Sequence, residues 1–183
     1  MAKVAVLMAE GFEESETITI VDILRRAGLV CHTFAFSEGF VLGMQKMRIK
    51  ADRIFGEEIK DYDMLVIPGG RPGGDNLRTN PEVIRLVRYF NAQHKYLAAM
   101  CSGTLVLKEA DVIQGKQMTG YMGYAEKLEG AIFKDDVVVV DDHLITSQGP
   151  ATPYPFAFKL AEVLGKDVRE LKERMLYNFA GGK

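Results

Sequence analysis

The chain has 183 residues, 48% of them hydrophobic, with 23 Lys and Arg against 25 Asp and Glu and a formal net charge of −2. That length suits one domain spanning residues 1–183 and burying about 70% of its unfolded surface. The cations are scattered, which excludes a nucleic-acid footprint, and no apolar run reaches the roughly 20 residues that cross a bilayer.

VAVLM at 4–8 is an unbroken apolar run, the pattern of a central parallel strand covered on both faces. The apolar run before Glu10 is too short for a signal peptide. EESETITIVDILRRAGL follows with Ile20, Ile23, Leu24 and Ala27 at helical spacing and Gly28 at its C-terminal cap. VCHTFAF at 30–36 reads as a second strand, so the chain starts β-α-β. Residues 39–60 alternate enough for a hairpin or edge ribbon, with Gly43 near the turn. MLVIPGG at 64–70 is a buried strand ending in a turn. NPEVIRLVRYFNAQ at 80–93 is a helix with Asn80 as N-cap and Pro81 at its first position. YLAAM at 96–100 is a strand feeding Cys101, and TLVLKEA is the helix after it. Residues 136–140 and 143–147 form a strand pair turning at Asp141 and Asp142. Two helices broken near Gly165 complete the chain.

Strands alternating with helices imply an α/β fold, a mostly parallel sheet with helices on both faces. Sites in such folds lie at the carboxyl ends of the strands, near the point where strand order reverses. Three chemically loaded segments fall there: AEGFEESE, PGG and CSG.

Cys101 sits where a strand turns into a helix, a nucleophile-elbow arrangement without the preceding glycine of the hydrolase motif. Unpaired N–H groups and the helix dipole are expected to make this thiol acidic. Cys31, inside an apolar strand, reads as a small structural hydrophobe. The two cysteines form no disulfide framework and no metal spacing, which fits a cytoplasmic, reducing setting. Glu10, Glu13, Glu14 and Glu16 crowd the first loop and helical turn. Most should be caps, but one pointing inward beside the sulfur would hold its proton and could serve as general acid and base. The glycines of IPGGRPGG let backbone N–H groups approach an anion or oxyanion, although the spacing is not that of a P-loop. His32, His94 and His143 read as structural or surface residues.

GFEESET with VDILRRAG, YDMLVIPGG, AAMCSG, MTGY and LITSQGPAT, taken together from residue 11 to 152, resemble the ThiJ/PfpI superfamily. The nearest branch holds the parkinsonism-associated redox protein of animals and its bacterial ThiJ-like relatives. This resemblance implies a flavodoxin-like sheet sandwiched by helices, a homodimer and no cofactor or metal. It assigns the nucleophile to Cys101, the protonated partner to Glu16 and backbone oxyanion donors to Gly70 and Ser102. Gly69 and Tyr121 would line the pocket, and Arg25 and Arg26 would lie near the dimer contact. Two departures stand out. Ser102 replaces the His that follows the nucleophile in peptidase relatives, which argues against protease activity. Tyr121 stands where the animal protein brings a His into the pocket. The implied activity is cofactor-free chemistry on small reactive aldehydes or glycated protein, glyoxalase or deglycase in type. The alternative is an oxidation-sensing stress protein or chaperone that uses the same cysteine without turnover.

Overall fold

A computed structural model describes residues 1–181. β1 (Lys3–Met8) leads through α1 (Glu14–Arg26) to β2 (Val30–Ala35). The stretch that follows is a short hairpin, β3 (Phe40–Leu42) and β4 (Arg48–Lys50), then β5 (Arg53–Ile54). Next come β6 (Met64–Ile67), α2 (Gly73–Arg78), α3 (Pro81–Ala92), β7 (Tyr96–Met100) and α4 (Thr104–Glu109). The remainder comprises β8 (Gln117–Met118), β9 (Ile132–Phe133), β10 (Val138–Asp141), β11 (Leu144–Ser147), α5 (Pro153–Val163), α6 (Arg169–Arg174) and α7 (Tyr177–Ala180).

Seven strands form one sheet in the order β10-β11-β7-β6-β1-β2-β5, parallel except for the β10–β11 pair. Strand alternation divides its side chains between two cores. Ala5 and Leu7 of β1 pack with Val87 and Phe90 of α3 on one face, while Val4 and Val6 pack with Ile20 and Leu24 of α1 and Phe156 of α5 on the other. Order reverses between β1 and β6, so the loops after β1, β6 and β7 converge at one edge.

The expected caps form. Glu13 is the N-cap of α1 and accepts from the Ser15 N–H, and Asn80 accepts from the Glu82 N–H at the start of α3. Gly28 has φ +71°, the left-handed value that ends α1. The β10–β11 turn lies one residue later than expected, because Asp141 still pairs with Leu144.

Glu14 is buried and holds the hairpin. Its carboxylate accepts from the Gln45 N–H at 2.8 Å and the Met47 N–H at 3.2 Å. Glu14→Ala should leave those donors without a partner and cost about 1–3 kcal/mol. Urea unfolding together with faster amide exchange at residues 45–47 would measure this, and unchanged exchange would remove the clamp role.

Candidate active site

Cys101 occupies the convergence point. Its φ of 54° is left-handed, a conformation that strains a residue bearing a Cβ by about 1–3 kcal/mol and recurs at functional turns. A short 3₁₀ turn, Cys101–Gly103, precedes α4. The Thr104 hydroxyl donates to the Cys101 carbonyl at 2.7 Å and fixes the elbow. The backbone N–H groups of Ser102 and Gly70 favour negative charge on the sulfur.

Glu16, in the first turn of α1, is fully buried beside Cys101. Its Oε2 accepts from the Gly69 N–H at 2.7 Å, and that oxygen and the Cys101 Sγ both lie within 2.9 Å of the Cβ position that Gly69 leaves empty, so the two side chains meet across this glycine. Burial pushes the Glu16 pKa up to about 7, against the opposing pull of the Gly69 N–H and Cys101.

The expectation of an intrinsically acidic thiol is corrected here. Burial, and next the Glu16 carboxylate, push Cys101 up to about 12, outweighing the Ser102 and Gly70 N–H groups that favour the thiolate. α4 is only six residues long, so its end carries little dipole to oppose that burial. The two groups are therefore one titrating unit. Between about pH 7 and about pH 12 it holds a single proton, shared between carboxyl and sulfur.

Two glycines make this packing possible. A Cβ on Gly69 would fall 2.8 Å from the Cys101 Sγ and 2.9 Å from the Glu16 Oε2. Gly70 has φ +111° and its Cβ position lies 2.3 Å from the Gly11 carbonyl, so the loops after β1 and β6 meet there backbone to backbone. The Glu13 N–H donates to the Gly69 carbonyl at 2.9 Å and the Ser102 hydroxyl to the Gly70 carbonyl at 3.0 Å, tying the three loops together.

The other sequence-derived positions fall outside this cluster. Tyr121 is partly exposed and stacks edge-on with Tyr124 at 5.6 Å. It lines a separate groove of about 660 Å³ with Met122, Phe133 and Gln148. Arg25 pairs with Asp52 at 2.5 Å, and Arg26 with Asp22 at 2.8 Å. Cys31 is buried with its thiol pushed up to about 12 by desolvation, consistent with a structural role. Sequence reasoning passed over Arg71, which lines a cavity of about 340 Å³ with Ser102, Arg78 and Tyr124 at the mouth of the elbow. Its place inside the PGGRPGG turn was the available signal.

An α/β sheet with a strained cysteine elbow and a buried glutamate beside the sulfur defines a class of cysteine-centred flavodoxin-like proteins. The chain belongs to the DJ-1/PfpI family, whose profile matches residues 2–163. The glutathione-independent glyoxalase DJ-1 of Schizosaccharomyces pombe is 33% identical, covering 91% of this chain and 94% of that protein. The deglycase PfpI of Pyrococcus furiosus is 29% identical over 88% of this chain and 99% of its own. Among solved structures, a cysteine-to-alanine mutant of a DJ-1 superfamily protein from Salmonella typhimurium superposes with a TM-score of 0.89. It is 34% identical, over 96% of this chain and 98% of that one.

Proposed function

We propose that this protein is a cofactor-free enzyme of glyoxalase or deglycase type, acting on small reactive aldehydes or on their early adducts with protein. The observation that carries the reading is the fully buried Glu16 carboxyl set beside the Cys101 sulfur, both pressed against the side of Gly69 that lacks a Cβ. The relatives named glyoxalase and deglycase support the same chemistry.

With methylglyoxal, the Glu16 carboxylate takes the Cys101 proton as sulfur adds to the aldehyde carbon. The new alkoxide recovers that proton, giving a hemithioacetal. The Ser102 and Gly70 N–H groups, which favour negative charge on the sulfur, steady the oxygen on the adjoining carbon. Glu16 then removes the proton from the sulfur-bearing carbon and returns it to the adjoining one, converting the adduct to a lactyl thioester. Water cleaves the thioester, releasing lactate and restoring the thiol. The sum is methylglyoxal plus water to lactate, with no external oxidant. A carboxyl that titrates near 7 is matched to both halves of this transfer.

Ile18 on α1 and Met44 and Met47 in the hairpin leave exposed apolar surface beside the site, and this supports a homodimer that covers it. Both cysteines are free, which supports a cytoplasmic setting. Among the described residues, no helix is long and apolar enough to cross a membrane.

Incubating the purified protein with methylglyoxal should yield lactate, detectable by NMR, and Cys101→Ser should yield none above background. Absence of lactate from the unmodified protein would leave the oxidation-sensing reading in its place.

A further inference from the structure

We propose that His94, Asp142 and His143 form a binding site for a divalent transition metal at the end of the sheet opposite Cys101. His94 lies between α3 and β7, and the other two residues make the β10–β11 turn. The two segments are locked side by side, since the Leu97 N–H donates to the His143 carbonyl at 2.8 Å. Nothing in the spacing along the chain suggests the cluster, because its members are joined only by the pairing of β7 with β11.

One ligand atom from each residue lies within 4.8 Å of the others. His143 Nδ1 is 2.9 Å from Asp142 Oδ2, and His94 Nδ1 is 3.7 Å from the same oxygen. Ligands about 2.0–2.2 Å from a shared tetrahedral ion are about 3.3–3.6 Å apart. Closing the cluster therefore needs a movement of up to about 1.5 Å from the widest pair, which stands at 4.8 Å. His94 can supply it, since its side chain is 77% exposed.

The hydrogen bonding of His143 points to a cation. Its ring is buried between two oxygens: Nε2 stands 2.9 Å from Asn91 Oδ1 while Nδ1 faces the Asp142 carboxylate. With Nε2–H donating to Asn91 Oδ1, the Nδ1 lone pair is presented on the Asp142 side, the arrangement of a metal-ligating imidazole anchored by an outer acceptor. Two imidazoles and one carboxylate suit zinc, nickel or copper(II) more than magnesium or calcium, and water would complete the shell.

Lys116 is the competitor. Its ammonium lies 3.9 Å from Asp142 Oδ2 but closer, at 3.6 Å, to Asp141 Oδ1, which can keep it when a metal arrives.

Calorimetric titration with Zn²⁺ in a Cys101→Ser background, which removes the reactive thiol, tests the site. One equivalent should bind. His94→Ala and Asp142→Asn should each weaken binding at least tenfold, and Asn91→Ala should weaken it by roughly 10–100-fold through loss of the ring's anchor. Lys116→Ala should tighten binding severalfold, an effect that a purely structural hydrogen-bond cluster would not show. His94 is exposed, so its variant should melt at the parent temperature without metal. No saturable binding, or an affinity unchanged in His94→Ala, would overturn the proposal.

Discussion

Glu16→Gln should lower kcat/KM for methylglyoxal by about 100-fold or more, the scale of losing a general acid and base. Glutamine has nearly the same shape and can still accept from the Gly69 N–H, so the loop geometry should survive. What it cannot do is take a proton from sulfur and return it to carbon. The same substitution removes the carboxylate that, after burial, raises the Cys101 thiol. The sulfur should therefore become more acidic while the enzyme becomes slower. A variant with an unchanged thiol pKa and unchanged turnover would mean that the two side chains are not coupled.

Gly69→Ala should be comparably damaging by a different route. The added methyl would meet Cys101 Cβ at 2.6 Å, Sγ at 2.8 Å and Glu16 Oε2 at 2.9 Å. None of these atoms can retreat, because Cys101 is held in the elbow and Glu16 is packed in the core. Overpacking of this kind costs about 1–3 kcal/mol, and lactate formation should fall with it because the pair is forced apart. Gly56→Ala is the control, since the nearest atom to its Cβ position is 4.0 Å away. Equal stability and activity in both variants would show that the site tolerates a methyl where the packing leaves no room.

Much of this architecture was legible in the chain. Unbroken apolar runs marked β1, β6 and β7 because strands buried on both faces carry no polar alternation. Asn80 and Pro81 announced α3, and the CSG turn after YLAAM located the elbow. α2 was missed because its GGDNLR sequence begins with two glycines and continues with Asp and Asn, poor helix formers held in place by the loops around them. β5, β8 and β9 are two residues each, too short for periodicity to register.

The acidic loop shows where local reading stops. Four glutamates within seven positions look alike in sequence, yet Glu13 caps α1, Glu14 clamps the hairpin and Glu16 turns inward. Only the resemblance singled out Glu16. The thiol was misjudged for a related reason: a helix start is visible along the chain, whereas burial and a carboxylate 85 residues away in sequence are not. Together they reverse the direction of the shift.

The central claim is that Glu16 and Cys101 share one proton at neutral pH. Its most direct test is the rate of Cys101 alkylation by iodoacetamide as a function of pH. Below about pH 7 the carboxyl is protonated and the thiol neutral, so the rate should be low. It should rise through about 7 to a plateau as the first proton leaves, and rise again toward about 12 as the second leaves. Glu16→Gln should show only one step, with the rise near 7 gone. A single identical step in both proteins would contradict the account.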